Sequence, residues 1–225
     1  MVLSQRLMAV SDLVSAGNRL ADIGTDHAFV PIYLVEHGQI PSAIAMDVNP
    51  GPLARADDHI RMHGLADRII TRLSDGLDQL APGEADTVLV AGMGGALTVR
   101  ILEQREGLTG DVKELVLQPQ SEIASVRRFL ERSGWRIVSE RMVFEEGKYY
   151  QMMRCVPGRM RLSAAEAEYG PCLMQERSTV WSGYLLWRKE ILDRNLLRLQ
   201  NAEGERGEKR RREILEQRRM IDACR

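Results

Sequence analysis

The sequence predicts an α/β fold: a doubly wound, mostly parallel sheet closed by an antiparallel edge hairpin, then a C-terminal antiparallel helical hairpin with coiled-coil packing. Three observations carry this. Apolar runs of strand length alternate with helix-length segments through the first half of the chain, the pattern of βαβ units. "WRIVSERMVFEEGKYYQMMRCV" then leaves no room for a helix and contains the turn "EEGK", which predicts two antiparallel strands. From Ser163 onward the strand signal disappears and leucines recur at sevens.

Taken in order, Leu3, Leu7, Val10 and Val14 share one face of an opening amphipathic helix, which Gly17 is placed to end. Strands follow in "RLADIG", "SAIAMDV", "RIITRL", "DTVLVAG" and "ELVLQP", with helices expected near residues 28–37, 52–63, 96–105 and 122–133. The edge hairpin brings the total to six or seven strands, ending near residue 156. "SAAE", Ser163 to Glu166, is a capping box that starts a helix. Leu185, Leu192 and Leu199, joined by Trp181, Tyr184, Trp187 and Ile191, predict one long helix with a wide apolar seam, and Gly204 and Gly207 are placed to break it. A second helix in "EKRRREILEQRRMIDA" turns Ile214, Leu215 and Ile221 back toward the first. The expected domains are residues 1–158 and residues 163–225.

Composition narrows the function classes. The chain has 225 residues, 44% of them apolar, enough for a full-size core plus an appendage. No apolar run reaches the roughly 18 residues of a membrane span, and the N-terminus alternates polar and apolar residues instead of forming a signal-peptide core. A cytoplasmic protein with no membrane partner is expected. Cys155, Cys172 and Cys224 are odd in number, far apart and without nearby histidines, so reduced thiols are expected, with neither disulfide nor zinc site. Residues 163–225 hold 13 Lys and Arg against 11 Asp and Glu, a net +2, and residues 1–162 hold 18 against 21, a net −3. The local contrast is sharper: Arg206 to Arg219 contains seven basic and three acidic residues.

The turn "DIGTDHA" decides the ligand class. A dinucleotide turn needs several glycines so that backbone N–H groups reach a pyrophosphate, and here only Gly24 remains. Asp22 and Asp26 flank it, and two carboxylates repel a pyrophosphate. A cation fits better, and S-adenosylmethionine carries a sulfonium, an ammonium and no phosphate. Asp47, 25 residues after Asp22 at the next strand end, is placed to meet ribose hydroxyls. Asp75 of "SDG" is placed to reach the adenine amino group. Alone, each of these two reads as a cap; together, at the C-terminal ends of successive strands, they read as a binding edge. "AGMGG", Ala91 to Gly95, fails as a dinucleotide fingerprint, but its three glycines open space beside the reactive end of the donor while also making a tight turn, and Gly92 and Met93 are cofactor-binding candidates. "QPQ" places Gln118 and Gln120 at a strand end, where two amides either read a base edge or face water.

"LADIGTDHAFVP", "AGMGGAL", "LQPQ", "EEGKYY" and "YGP", in this order and spacing, resemble the bacterial tRNA (adenine(22)-N1)-methyltransferase family over essentially the whole chain. The resemblance implies a class I methyltransferase domain (Rossmann-like), a coiled-coil hairpin, S-adenosylmethionine as donor and methylation of N1 of adenine 22 in tRNA. It also marks two departures: Phe29 stands where the family usually has tyrosine, and Gln120 where it usually has asparagine.

An adenine N1 lone pair lies in the ring plane and needs no strong base, so the expected enzyme mainly positions its substrates and extracts the base from its stack. Asp26 is the candidate for favouring the charge that moves onto the ring. His27 reads as a base or phosphate contact, or equally as a packing residue beside the site. Phe29 reads as a stacking surface for the base, or as core. Arg210, Arg211 and Arg212 read as an RNA handle or as a solvated helix face. Two other classes stay open: a small-molecule methyltransferase whose hairpin dimerises, and a non-catalytic protein that binds S-adenosylmethionine or RNA. No obligate protein partner is indicated.

Overall fold

Leu20–Ile23 buries every residue, as a central parallel strand flanked on both faces must, and forms β1 of a seven-stranded sheet. The computed structural model describes residues 1–105, 107–199 and 204–224. Parallel strands β2 (Ala43–Asp47), β3 (Ile69–Leu73), β4 (Thr87–Met93) and β5 (Glu114–Pro119) are followed by antiparallel β6 (Trp135–Glu145) and β7 (Lys148–Pro157). The sheet order is β3-β2-β1-β4-β5-β7-β6. The order reverses between β1 and β4, which fixes the crevice where open α/β sheets hold ligands. Glu146 and Gly147 make the two-residue turn between β6 and β7 with φ of 49° and 77°, the left-handed pair that suits a twisted hairpin.

The sheet helices are α1 (Gln5–Ser11), α2 (Phe29–Glu36), α3 (Pro50–Met62), α4 (Gly95–Glu103), α5 (Leu108–Asp111) and α6 (Ile123–Arg132). The chain divides into two compact units, Met1–Leu162 and Ser163–Arg225. Residues 159–162, left between the expected domains, join the first: Leu162 donates its N–H to Glu131 (2.9 Å) and accepts from Arg128 (2.7 Å). Buried Arg127 of α6 donates to Glu140 of β6 and Gln151 of β7 at 2.9 and 2.7 Å, fastening helix to hairpin inside the core.

The second unit contains α7 (Ala164–Tyr169), α8 (Pro171–Glu176), α9 (Thr179–Arg198) and α10 (Glu205–Cys224). Ser163 and Glu166 cap α7 reciprocally. The indole N–H of Trp181 donates to the Tyr169 carbonyl (3.0 Å), tying α9 to α7, and Arg218 pairs with Asp193 (3.1 Å), joining α9 and α10 as a hairpin.

Several sequence expectations are corrected. The opening helix ends at Ser11, whose hydroxyl bonds back to the Leu7 carbonyl (2.9 Å), and Leu13 and Val14 bury from tighter i→i+3 turns. The short α5 was not expected. Gly204, with φ 98°, stands just ahead of α10, whereas Gly207 lies inside that helix. Leu215 is 36% exposed, while Ile214 and Ile221 are buried, so the inward seam of α10 excludes Leu215.

Candidate active site

The chain leaves β1 through Gly24, whose φ of 75° suits glycine, and the Gly24 and Thr25 amides both donate to the Met46 carbonyl at 2.8 and 2.9 Å. Ala28 is also left-handed, at φ 53°, just ahead of α2. A non-glycine residue there stores on the order of 1 kcal/mol of strain, a feature that clusters at binding sites. Asp26 and His27 are thereby held between two fixed corners.

A cavity of about 320 Å³ opens at these corners. β1 and its turn contribute Asp22, Gly24, Thr25, Asp26 and His27 to the lining, α2 adds Phe29 and Val30, and β4 adds Leu89, Ala91 and Gly92. Gln120 lines it from beyond β5, and Arg6 and Leu7 from α1.

Electrostatics in the cavity follow from burial. Asp22 is 8% exposed, and desolvation, with the negative charge of Asp47 adding to it, pushes its carboxyl up to about 6. A cation beside Asp22 would reverse that shift. Asp26, by contrast, is exposed and accepts a hydrogen bond from Arg55 of α3 at 2.8 Å, with its other oxygen 3.6 Å from His27 Nε2. The His27 ring stacks on Phe29 with centroids 5.1 Å apart and planes 20° apart, and His59 of α3 leans on both at 5.1 and 5.5 Å. His27 Nδ1 is buried without a partner among the described residues.

The second turn explains its glycines one by one. Gly92 has φ 80°, and a Cβ there would find nothing nearer than Gln120 at 3.9 Å and Arg6 at 4.0 Å, so it leaves open space. A Cβ on Gly95 would stand 2.4 Å from the Ser121 carbonyl, so α4 packs too closely on the turn after β5 for any side chain. Met93 reaches back across Gly24, where a Cβ would stand 2.0 Å from its methyl carbon.

The remaining sequence candidates are placed differently. Gln118 is fully buried outside the cavity lining, its carbonyl oxygen accepting from Arg6 (2.9 Å) and the Gly92 amide (3.2 Å). It therefore holds the turn and Arg6 in place. Asp47 closes β2 and accepts from the Asn49 amide (2.8 Å), and exposed Asp75 pairs with Arg100 of α4 (3.1 Å). Neither lines the cavity. In the second unit, Arg210 pairs with Glu213 (3.0 Å), Arg211 donates to the Leu199 carbonyl at the end of α9 (2.6 Å), and Arg212 is exposed. Sequence reasoning missed Arg6, Arg55 and His59. Each lies on the polar face of an ordinary amphipathic helix, and Arg6 meets Gln118 across 112 residues, which no local signal marks. Among the described residues no His, Cys, Asp and Glu cluster could hold a metal ion, and no helix is long and apolar enough to cross a membrane.

Residues 3–153 match the sequence profile of a family described as "Methyltransferase domain". A Bacillus subtilis (strain 168) protein named tRNA (adenine(22)-N(1))-methyltransferase is 34% identical over 197 residues, covering 84% of this chain and 81% of that one. The crystal structure of Streptococcus pneumoniae Sp1610 in complex with S-adenosyl-L-methionine is similar over 99% of both chains, at 35% identity and TM-score 0.90. M. capricolum TrmK, solved with S-adenosyl-homocysteine, matches over 100% of both chains at 26% identity and TM-score 0.87.

Proposed function

Since the chain belongs to the tRNA (adenine(22)-N1)-methyltransferase family, we propose that it transfers a methyl group from S-adenosylmethionine to N1 of adenine 22 in tRNA, acting in the cytoplasm. The observation that carries the reading is the acidic cavity at the β1/β4 crossover, with a buried carboxylate beside a single-glycine turn. Bound there, S-adenosylmethionine supplies an electrophilic methyl group on a sulfonium.

The residues present fit that donor. Asp22 offers a buried negative charge to its cationic end, Gly24 and Gly92 give close backbone approach, and Asp47 at the end of β2 accepts from ribose hydroxyls. Asp75 offers a second acceptor beyond β3 once Arg100 yields it. Met93 packs across Gly24 and shapes the same corner.

Phe29 and His27 present one stacked aromatic surface against which an extruded adenine rests. Gln120 lines the opposite wall, where its amide meets the base edge. N1 attacks with a lone pair that is already free, so positioning dominates. Positive charge moves onto the adenine ring, and Asp26 at the cavity mouth stabilises that charge and takes up the proton that the amino group loses. Gln118 acts at one remove, by fixing Gly92 and Arg6. Lys209, Arg210 and Arg212 on α10 supply exposed charge for tRNA phosphates.

The test is methylation of unmodified tRNA transcripts with labelled S-adenosylmethionine, the product located by reverse-transcription stops. A stop at adenine 22 is expected. Label elsewhere, or none, would overturn the reading.

A further inference from the structure

A second concave surface lies at the opposite end of the sheet. β7 runs antiparallel to β5, with Leu115 opposite Cys155, so Pro157 and the strap after it stand level with the start of β5. The six residues of β5 at about 3.3 Å each separate that end from the cavity by at least about 20 Å along the sheet. A groove of about 990 Å³ opens there.

Two rails of arginine border it. Arg128 and Arg132 are four apart on α6 and share a helix face. Arg159 and Arg161 stand on the strap, alternating with Met160, whose sulfur turns inward to the Ile137 amide (3.4 Å). The strap is fixed to α6 by Arg128 on the Leu162 carbonyl and Glu131 on the Leu162 amide, so the rails have a set spacing. Glu131, the one acidic residue of the lining, is bonded to Arg128 and Leu162. Arg132, Arg159 and Arg161 are exposed and form no ion pair among the described residues.

Three unpaired cations on one groove, in a unit whose net charge is −3, are self-repelling. Among the described residues no ion pair holds Arg132 or Arg159, and Arg161 has only the longer-range attraction of Glu131, which is already bonded to Arg128, so the groove keeps positive charge that suits a polyanion. We propose that this groove binds the phosphate backbone of the substrate tRNA at a point remote from the target base, giving the first unit its own RNA contact. The inference rests on tRNA being the substrate. A tRNA carries phosphate along its whole length, so one molecule can offer the target base to the cavity and backbone phosphates to the groove.

The test is tRNA affinity against salt for Arg132→Ala/Arg159→Ala/Arg161→Ala, using an unmodified tRNA transcript and the full chain. Loss of three phosphate contacts should flatten the log–log salt slope by about two to three and weaken binding more than tenfold at low salt. S-adenosylmethionine affinity and turnover at saturating tRNA should not change. The triple arginine-to-lysine variant should keep most of the slope, which a merely structural effect would not explain. Should the alanine triple be unstable, Arg159→Ala and Arg161→Ala singly, on a strap without helix, should each flatten the slope by about one. A wild-type slope in these variants, or a loss equal at every salt concentration, overturns the proposal, as does polyphosphate binding at the groove with an unaltered tRNA slope. If wild-type protein methylates tRNA and the slope ignores these arginines, the groove inference alone falls. If methylation is absent while the slope responds, the functional reading falls and the groove stands.

Discussion

Asp22 links the site to pH. Its folded-state carboxyl, raised to about 6 by burial, holds its proton where an unfolded aspartate near 3.8 has lost it. Between those values the folded state binds more protons than the unfolded, so stability without donor should fall as pH rises from about 4 to above 6, by on the order of 2–3 kcal/mol. Affinity for S-adenosylmethionine should move oppositely, strengthening as Asp22 ionises. Thermal unfolding and calorimetry from pH 4 to 8 measure both, and Asp22→Asn should flatten both; a pH-independent affinity in the wild type would remove the carboxylate from the donor site. Asp47→Ala should weaken the donor by roughly 1.5–3 kcal/mol, as for hydrogen bonds to a charged group. Unchanged affinity would leave Asp47 as a cap for Asn49. Asp26 already sits against Arg55 in water, so Asp26→Asn should disturb little in the resting protein and lower single-turnover rate more than donor affinity. Equal losses would make it a binding residue.

Among the elements, α10 carries the sharpest division of labour. Arg211 closes α9 through the Leu199 carbonyl and Arg218 pairs with Asp193, so neither is free to hold RNA without loosening the hairpin. Lys209 and Arg212 are exposed. Replacing both with alanine should reduce tRNA affinity and flatten its salt slope by about two, with stability within about 0.5 kcal/mol of wild type. Arg211→Ala should instead lower stability, read by thermal unfolding. The sequence reveals the central strands β1, β2, β4 and β5 because burial on both faces demands apolar runs, and it reveals α7 because a capping box is a local code. It could not separate Gly204 from Gly207. Gly207 falls within the first turn of α10, where missing side-chain contacts cost little, whereas Gly204 adopts a backbone angle open mainly to glycine. The same limit applies in the site: Gly24 and Asp22 announce themselves in one turn, but Gln118 looks like a base reader until Arg6, 112 residues away, takes its oxygen.

For the whole molecule, the first unit is bound together by a buried ionic network as well as by apolar packing. Glu140→Ala would leave the Arg127 guanidinium buried with one partner fewer, an arrangement that costs about 3–5 kcal/mol. Thermal unfolding should register a drop of roughly 10 °C, with donor affinity of the folded fraction preserved because the network lies on α6, β6 and β7, outside the cavity lining. A melting temperature within a degree of wild type would show that neighbouring groups or water replace the lost carboxylate.

The placement of α1 reaches beyond equilibrium. Gln5 donates its amide to Glu145, Arg6 holds Gln118 and stands 5.6 Å over the Tyr150 ring, and Ser15 bonds Glu114 and receives Arg154. The partners lie between 99 and 144 residues downstream, from Ser15–Glu114 to Arg6–Tyr150. On the ribosome, this helix emerges before its partners and therefore waits for most of its unit to be made before it can dock. A chain released early would have β1 and its glycine turn but no Arg6 or Leu7 against the cavity, so synthesis itself withholds a finished pocket until the edge hairpin is in place.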